Sequence, residues 1–189
     1  MFEDIIKHYP DFPKPGIDFI DVLPFLHDKK AFSDAIRQID GYTTAPSVVT
    51  VEARGFLFAA PLLTMSDKVQ NIVPMRKKGK LPHSEGDMVK VNIEKEYGSD
   101  ELFYRRSDLA ACTVTDEEYI DVTILDDLLA TGGTVKGIAD SLQQQVIGNY
   151  RIRIKEFVFL VELTDLRGRE IIENIAPVHS LMTIAGTEE

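Results

Sequence analysis

Ile124-Leu125-Asp126-Asp127-Leu128-Leu129-Ala130-Thr131-Gly132-Gly133-Thr134 decides how this chain is read. The apolar run from Tyr119 to Leu125 predicts a strand, and Val135 to Gln145 has the composition of a helix. Between them, Thr-Gly-Gly-Thr makes a turn in which backbone N–H groups can crowd around a ligand, because glycine has no Cβ to block it. The turn feeds a helix N-terminus, whose unpaired N–H groups and dipole favour an anion. Thr131 and Thr134 add hydroxyl donors, so Ala130, Thr131, Gly132, Gly133 and Thr134 form a candidate phosphate cradle. Asp126 and Asp127 fall where the strand is read to end, the place at which open α/β sheets bind ligands. Two carboxylates beside a phosphate repel it unless they grip something else, such as sugar hydroxyls or a magnesium ion. The combination points to a phosphorylated sugar. No Gly-Lys-Ser/Thr follows the glycines, which excludes a Walker loop.

The 189 residues predict one domain with a substantial core. A net charge of −10 argues against general nucleic-acid binding, and no apolar run approaches the ~20 residues of a membrane span. The start, Met1 to Pro10, is amphipathic and acidic rather than signal-like. Cys112 is the single cysteine, which excludes an internal disulfide and suits a core or turn thiol. The cytoplasm is the expected compartment.

Outward from the central stretch, other segments repeat its logic. Val48 to Val51 predicts a strand that delivers Glu52-Ala53-Arg54-Gly55-Phe56 to a helix over Leu57 to Leu63. An arginine there offers a planar fork to phosphate oxygens. Asn71 to Pro74 predicts a strand ending in Arg76-Lys77-Lys78-Gly79-Lys80, a basic mouth for a polyphosphate on an acidic protein. Asp87 to Asn92 and Glu101 to Tyr104 read as a hairpin arm reaching off the sheet, around the charged turn Glu94 to Asp100. Phe2 to His8 predicts a short helix, and three prolines between Pro10 and Pro15 then forbid regular structure. Ile17 to Phe25 reads as extended, Ala31 to Ile39 as a core helix, and Glu156 to Leu163 and Val178 to Ile184 as strands. Strands alternating with helices predict an α/β fold, a mostly parallel sheet covered on both faces.

Phe12-Pro-Lys-Pro-Gly16, Glu52-Ala-Arg-Gly-Phe56, Arg76-Lys-Lys-Gly-Lys-Leu-Pro82, Glu96-Tyr-Gly98, the Asp126–Thr134 loop and Glu162-Leu-Thr-Asp-Leu-Arg-Gly-Arg169 together resemble the adenine phosphoribosyltransferases. The Asp-Asp loop alone resembles the wider type I phosphoribosyltransferase class. The resemblance covers Phe12 to the C-terminus and implies a single domain over 1–189. Residues 1–30 would form an N-terminal hood over the base pocket, and 82–105 a mobile β-hairpin lid. It implies transfer between adenine and 5-phosphoribosyl 1-diphosphate in purine salvage, giving AMP and pyrophosphate, in a homodimer. Magnesium would be carried mainly by the sugar diphosphate, with Asp126 and Asp127 nearby and no ligand assigned directly. In those roles Arg54 and Lys80 take the diphosphate with Arg76 and Lys77 close by, and Asp126 and Asp127 hold the ribose. Glu96 is the proton-transfer candidate and Tyr97 helps close the site. Phe19 and Leu163 sandwich the purine, and main-chain groups around Asp18 and Ile20 read its edge. Asp18 stands where the family has an aliphatic residue and Ile20 where it has Lys or Arg, while Lys95 replaces a leucine in the lid. An enzyme for a 6-oxopurine (hypoxanthine, guanine or xanthine) is the nearest alternative. A non-catalytic regulator that senses the sugar diphosphate is the second.

Overall fold

The computed structural model describes residues 2–94 and 99–185. In chain order the elements are β1 (Lys7–Tyr9), β2 (Phe19–Asp21), α1 (Lys29–Tyr42), β3 (Ser47–Val51), α2 (Arg54–Ala59), α3 (Leu62–Met65), β4 (Asn71–Lys77), β5 (Met88–Glu94) and β6 (Ser99–Arg105). They continue with α4 (Arg106–Ala110), β7 (Tyr119–Leu129), α5 (Gly133–Gln143), β8 (Val146–Ile147), β9 (Tyr150–Leu163) and β10 (Val178–Ile184). The main sheet runs β10-β9-β7-β3-β4-β6-β5, with β8 paired to β9. Its strands from β10 to β4 are parallel, and β6 and β5 close one side antiparallel.

Two cores explain why the central strands read as unbroken apolar runs. Val122, Ile124, Phe157 and Phe159 pack on one face with Val135, Ile138, Ala139 and Leu142 of α5. Leu125, Val158 and Leu160 pack on the other with Ala35, Ile36 and Ile39 of α1 and Phe58 of α2. All five residues of β3 are buried, as expected of a strand covered twice. The α1 helix starts at Asp28, whose side chain accepts from the Ala31 N–H at 2.9 Å.

Several elements differ from their sequence expectation. The N-terminal segment makes one 3-10 turn, Phe2–Asp4, and then β1, which pairs antiparallel with β2. Helical spacing in so short a segment loses to a strand partner. The helix expected over Leu57 to Leu63 is two helices with Pro61 at the junction, because a proline cannot continue the first. The β7 strand runs to Leu129, past both acids, since its parallel ladder to β9 continues through Leu129↔Glu162. Likewise β9 begins at Tyr150. The hairpin does not stand off the sheet. Its β6 strand pairs with the end of β4, and Val91, Ile93, Leu102 and Tyr104 are buried against α5. Alternation places those apolar side chains on one face, which has the α5 surface to cover. Cys112 belongs to that core.

The switch point lies between β3 and β7. From β3 the chain passes to β4 on one side, and later enters β7 on the other. The pairs Val51↔Met75 and Thr50↔Leu125 set β4 and β7 level with the end of β3, so Glu52, Arg76 and Asp126 converge from distant parts of the sequence. Ligands of open α/β sheets bind at this place.

Candidate active site

A cleft of about 690 Å³ opens over those strand ends. Its walls include Phe19, Glu52, Arg54, Lys77, Lys78, Glu101, Asp126, Asp127 and Thr134. A smaller hollow of about 80 Å³ is lined by Asp126 and by Leu128 through Val135. The two share Asp126 and Thr134, so the cradle opens into the cleft.

The cradle's shape comes from close packing of backbone. Gly132 has φ +79°, a conformation that suits glycine, and α5 begins at the next residue. Behind it stands Gly168, in the loop after β9. A Cβ on Gly168 would lie 2.1 Å from the Ala130 carbonyl oxygen, and one on Gly132 would lie 2.6 Å from that of Gly168. Two glycines meeting back to back allow this approach. Sequence reasoning matched Gly168 to a family motif without giving it a task; its pairing with a loop 36 positions away is visible only in three dimensions.

Asp127 is buried, and Asp126 is half-buried where it lines the cleft. Burial, and then the neighbouring Asp127 charge, push the Asp126 carboxyl well above its ordinary value. Burial also raises Asp127, against the opposing pull of Arg54. Arg54, the first residue of α2, holds Asp127 through Nε at 2.8 Å from Oδ2. Its Nη1 donates to the Ile20 carbonyl at 3.0 Å, and its guanidinium lies 5.1 Å from the Phe19 ring centroid. Arg54 thus joins the acidic pair to the aromatic wall, in addition to facing the cleft itself.

The basic run is organised by a carboxylate that sequence reasoning passed over. Glu52 accepts from Arg76 Nε and stands 4.0 Å from Lys80 Nζ. Burial alone would raise the Glu52 carboxyl, but the Arg76 bond, the Lys77 N–H and the charges of Arg76 and Lys80 hold it below the usual value. Arg76 also lies over Phe56, at 5.9 Å from the ring centroid. Lys77 and Lys78 line the cleft with exposed side chains, and Lys78 stands 3.8 Å from Glu101 of β6.

Of the base-pocket residues, Phe19 lines the cleft and meets Phe12 edge to face at 5.3 Å. Asp18 turns outward, with Oδ2 2.6 Å from His8 Nδ1. The Ile20 side chain is buried in the second core and its carbonyl is taken by Arg54. Leu163, the last residue of β9, packs against the second core, and the cleft lining takes Phe19 without it. Glu96 and Tyr97 lie outside the described residues.

The mostly parallel sheet with its glycine cradle and paired acids at the switch point has the type I phosphoribosyltransferase fold. No family model matches the chain. It is 39% identical over 171 residues to the adenine phosphoribosyltransferase of Halothermothrix orenii, covering 89% of this chain and 91% of that one. To the enzyme of the same name from Acetivibrio thermocellus it is 37% identical over 179 residues, covering 87% and 89%. The crystal structure of adenine phosphoribosyltransferase from Thermoanaerobacter pseudethanolicus superposes with TM-score 0.80 at 36% identity, over 97% of this chain and all of that one. The Saccharomyces cerevisiae enzyme, complexed with an imino-altritol bisphosphate and adenine, gives 0.74 at 32% identity, over 95% and 96%. The chain belongs to the adenine phosphoribosyltransferase family.

Proposed function

We propose that this enzyme joins adenine to the ribose of 5-phosphoribosyl 1-diphosphate, giving AMP and pyrophosphate. The observation that carries the reading is the adjoining of cleft and cradle hollow, which share Asp126 and Thr134 and so bring the Ala130–Thr134 cradle, the Asp126–Asp127 pair and the Phe19 wall together. Held by its 5-phosphate in the cradle, a ribose places its hydroxyls at the two acids and its C1 toward the aromatic wall. Breaking the C1–O bond builds positive charge on the ring and negative charge on the leaving diphosphate. Preorganised charges on each side of that bond stabilise both. Asp126 and Asp127 face the ring, and Lys77 and Lys78 are the cleft-lining cations for the diphosphate, with Arg76 and Lys80 held nearby on Glu52. Arg54 braces Asp127 and Phe19 while presenting charge to the cleft. Glu96 supplies proton transfer near the base and Tyr97 helps exclude water, as the motif resemblance implies.

Magnesium fits this site as an ion that arrives with the substrate. The described residues hold no cluster of three or more side chains able to ligate a metal, yet the cleft wall carries the carboxylates of Asp126 and Asp127. Those acids would stand beside an ion held mainly by diphosphate oxygens. The ion would offset charge on the departing diphosphate. No helix among the described residues is long and apolar enough to cross a membrane. The homodimer is what the motif resemblance implies, and the cytoplasm is the compartment proposed for it.

Adenine is the proposed base. The outward Asp18 leaves recognition of the purine edge to main-chain groups, which separate a 6-amino donor from a 6-oxo acceptor. A mismatch leaves buried groups unpaired at about 1–3 kcal/mol each. The test is pyrophosphate release from the sugar diphosphate with adenine, hypoxanthine and guanine in turn. Adenine is expected to give the highest kcat/KM, and preference for either 6-oxopurine overturns the assignment.

A further inference from the structure

The structure assigns a positioning role to Glu162 and Arg169: we propose that this pair sets the spacing between the base wall at Leu163 and the phosphate cradle. The inference rests on the place beside the purine that the motif resemblance implies for Leu163 and on the Ala130–Thr134 cradle proposed above.

Glu162 is the penultimate residue of β9, and its side chain is only 6% exposed. Its Oε1 accepts from Arg169 Nε at 2.9 Å and its Oε2 from Arg169 Nη2 at 2.5 Å. Ser180 Oγ, on the neighbouring β10, donates to the same Oε2 at 2.6 Å. The third guanidinium nitrogen, Arg169 Nη1, donates to the Val178 carbonyl at 2.7 Å. All three nitrogens are thereby committed, and the planar fork allows one orientation.

The neighbours of the pair in sequence lie behind the two ends of the proposed site. Leu163 follows Glu162 directly. Gly168 precedes Arg169 directly, with its Cα against the Ala130 carbonyl and the Gly132 N–H. Ile171, two residues on, closes the same contact, since a Cβ on Gly132 would meet its Cγ1 at 2.9 Å. Between the anchors the chain makes two 3-10 turns, Thr164–Leu166 and Gly168–Ile171, joined at Arg167 with φ +52°. The loop's own backbone hydrogen bonds close short turns, Arg167 N–H to the Thr164 carbonyl and Glu170 N–H to that of Arg167, and the bond that spans it from Glu162 to Arg169 is the ion pair. A buried ion pair adds little net stability over apolar packing, whereas a bidentate fork fixes distance and angle. Glu162 and Arg169 therefore act on substrate through Leu163 and Gly168 without touching it.

The experiment uses three ligands on the full chain. AMP spans both walls, adenosine reaches the base wall alone, and ribose 5-phosphate fills the cradle alone. Calorimetric affinities are compared for wild type and Arg169→Lys, which keeps the charge and loses the fork, with circular dichroism and thermal melts as the check on folding. AMP affinity should fall by about tenfold or more beyond the combined losses of the two fragments, because only a two-ended ligand senses spacing. Parallel losses for all three, or no loss in a folded variant, overturn the proposal. Ser180→Ala, which removes one bond and leaves the ion pair, keeps the question answerable if Arg169→Lys does not fold. It should weaken AMP selectively, and an unchanged ratio of AMP to fragments refutes the role. Failure of the underlying site reading looks different: wild type itself would bind AMP no tighter than its fragments.

Discussion

Gly168→Ala adds a single methyl group to a loop that makes no direct contact with the cleft, and it should cost most of the activity. The new Cβ would sit 2.1 Å from the Ala130 carbonyl oxygen and 2.8 Å from the Gly132 nitrogen, where ordinary contact begins at 3.4 Å. Both neighbours are backbone, so no side-chain rotation relieves the clash. The dihedral at Gly168 is one that other residues adopt, so the effect is purely steric. The cradle or the loop must then retreat by roughly 1 Å, a displacement that costs on the order of 100-fold in rate when it moves a substrate-positioning group. Overpacking of this kind lowers stability by about 1–3 kcal/mol, and a domain of this size loses about 2–4 °C of Tm per kcal/mol. The assay is steady-state kinetics with varied sugar diphosphate, alongside a thermal melt and adenosine binding. Expected are a large fall in kcat/KM for the sugar diphosphate, a modest fall in Tm, and adenosine affinity close to wild type. A folded variant with unchanged kcat/KM would refute the claim that Gly168 backs the cradle.

Other outcomes follow from the buried charges and the hairpin. Asp126 is held above its ordinary value of 3.8, so between that value and the raised one the native state keeps a proton that the unfolded chain releases, and stability falls as pH rises. Asp126→Asn should therefore abolish turnover yet raise Tm near neutral pH, with the gain shrinking as pH approaches 3.8; a gain that is constant with pH would contradict this. Arg54→Met leaves the Asp127 carboxylate buried without its cation and should destabilise by about 3–5 kcal/mol in chemical denaturation, with much of the loss recovered, but no activity, in Arg54→Met/Asp127→Asn. Glu96→Gln should lower kcat more than it weakens binding of the sugar diphosphate, measured by pre-steady-state turnover and by calorimetry; an equal effect on both would remove its proton-transfer role. Because Val91, Ile93, Leu102 and Tyr104 are packed on α5, amides of the β5–β6 ladder should resist hydrogen exchange with or without the sugar diphosphate. Ligand-dependent exchange throughout that ladder would show that the whole hairpin opens.

The parallel sheet, the strand–cradle–helix unit and the chemical character of the ligand were legible in the sequence, because each rests on local pattern. Alternating strands and helices, a glycine turn leading into a helix, and acids beside it are properties of neighbours in the chain. Helix and strand limits were less legible. The two aspartates read as the end of β7, yet the ladder to β9 carries the strand past them, and that pairing energy belongs to a partner far away in sequence. Tertiary contact alone decided how the site is wired. Residue type does not fix which way Asp18 points; His8, across the β1–β2 pair, takes its carboxylate. Arg54 read as a phosphate ligand, and the folded chain also makes it the brace between Asp127, Ile20 and Phe19. Glu52, Glu162 and Gly168 carry no local signal of their tasks, since a carboxylate's partner and a glycine's clearance are set by what the fold brings opposite. Chemistry is written in residue types along the chain; distance between them is set only when the sheet closes and its strand ends meet.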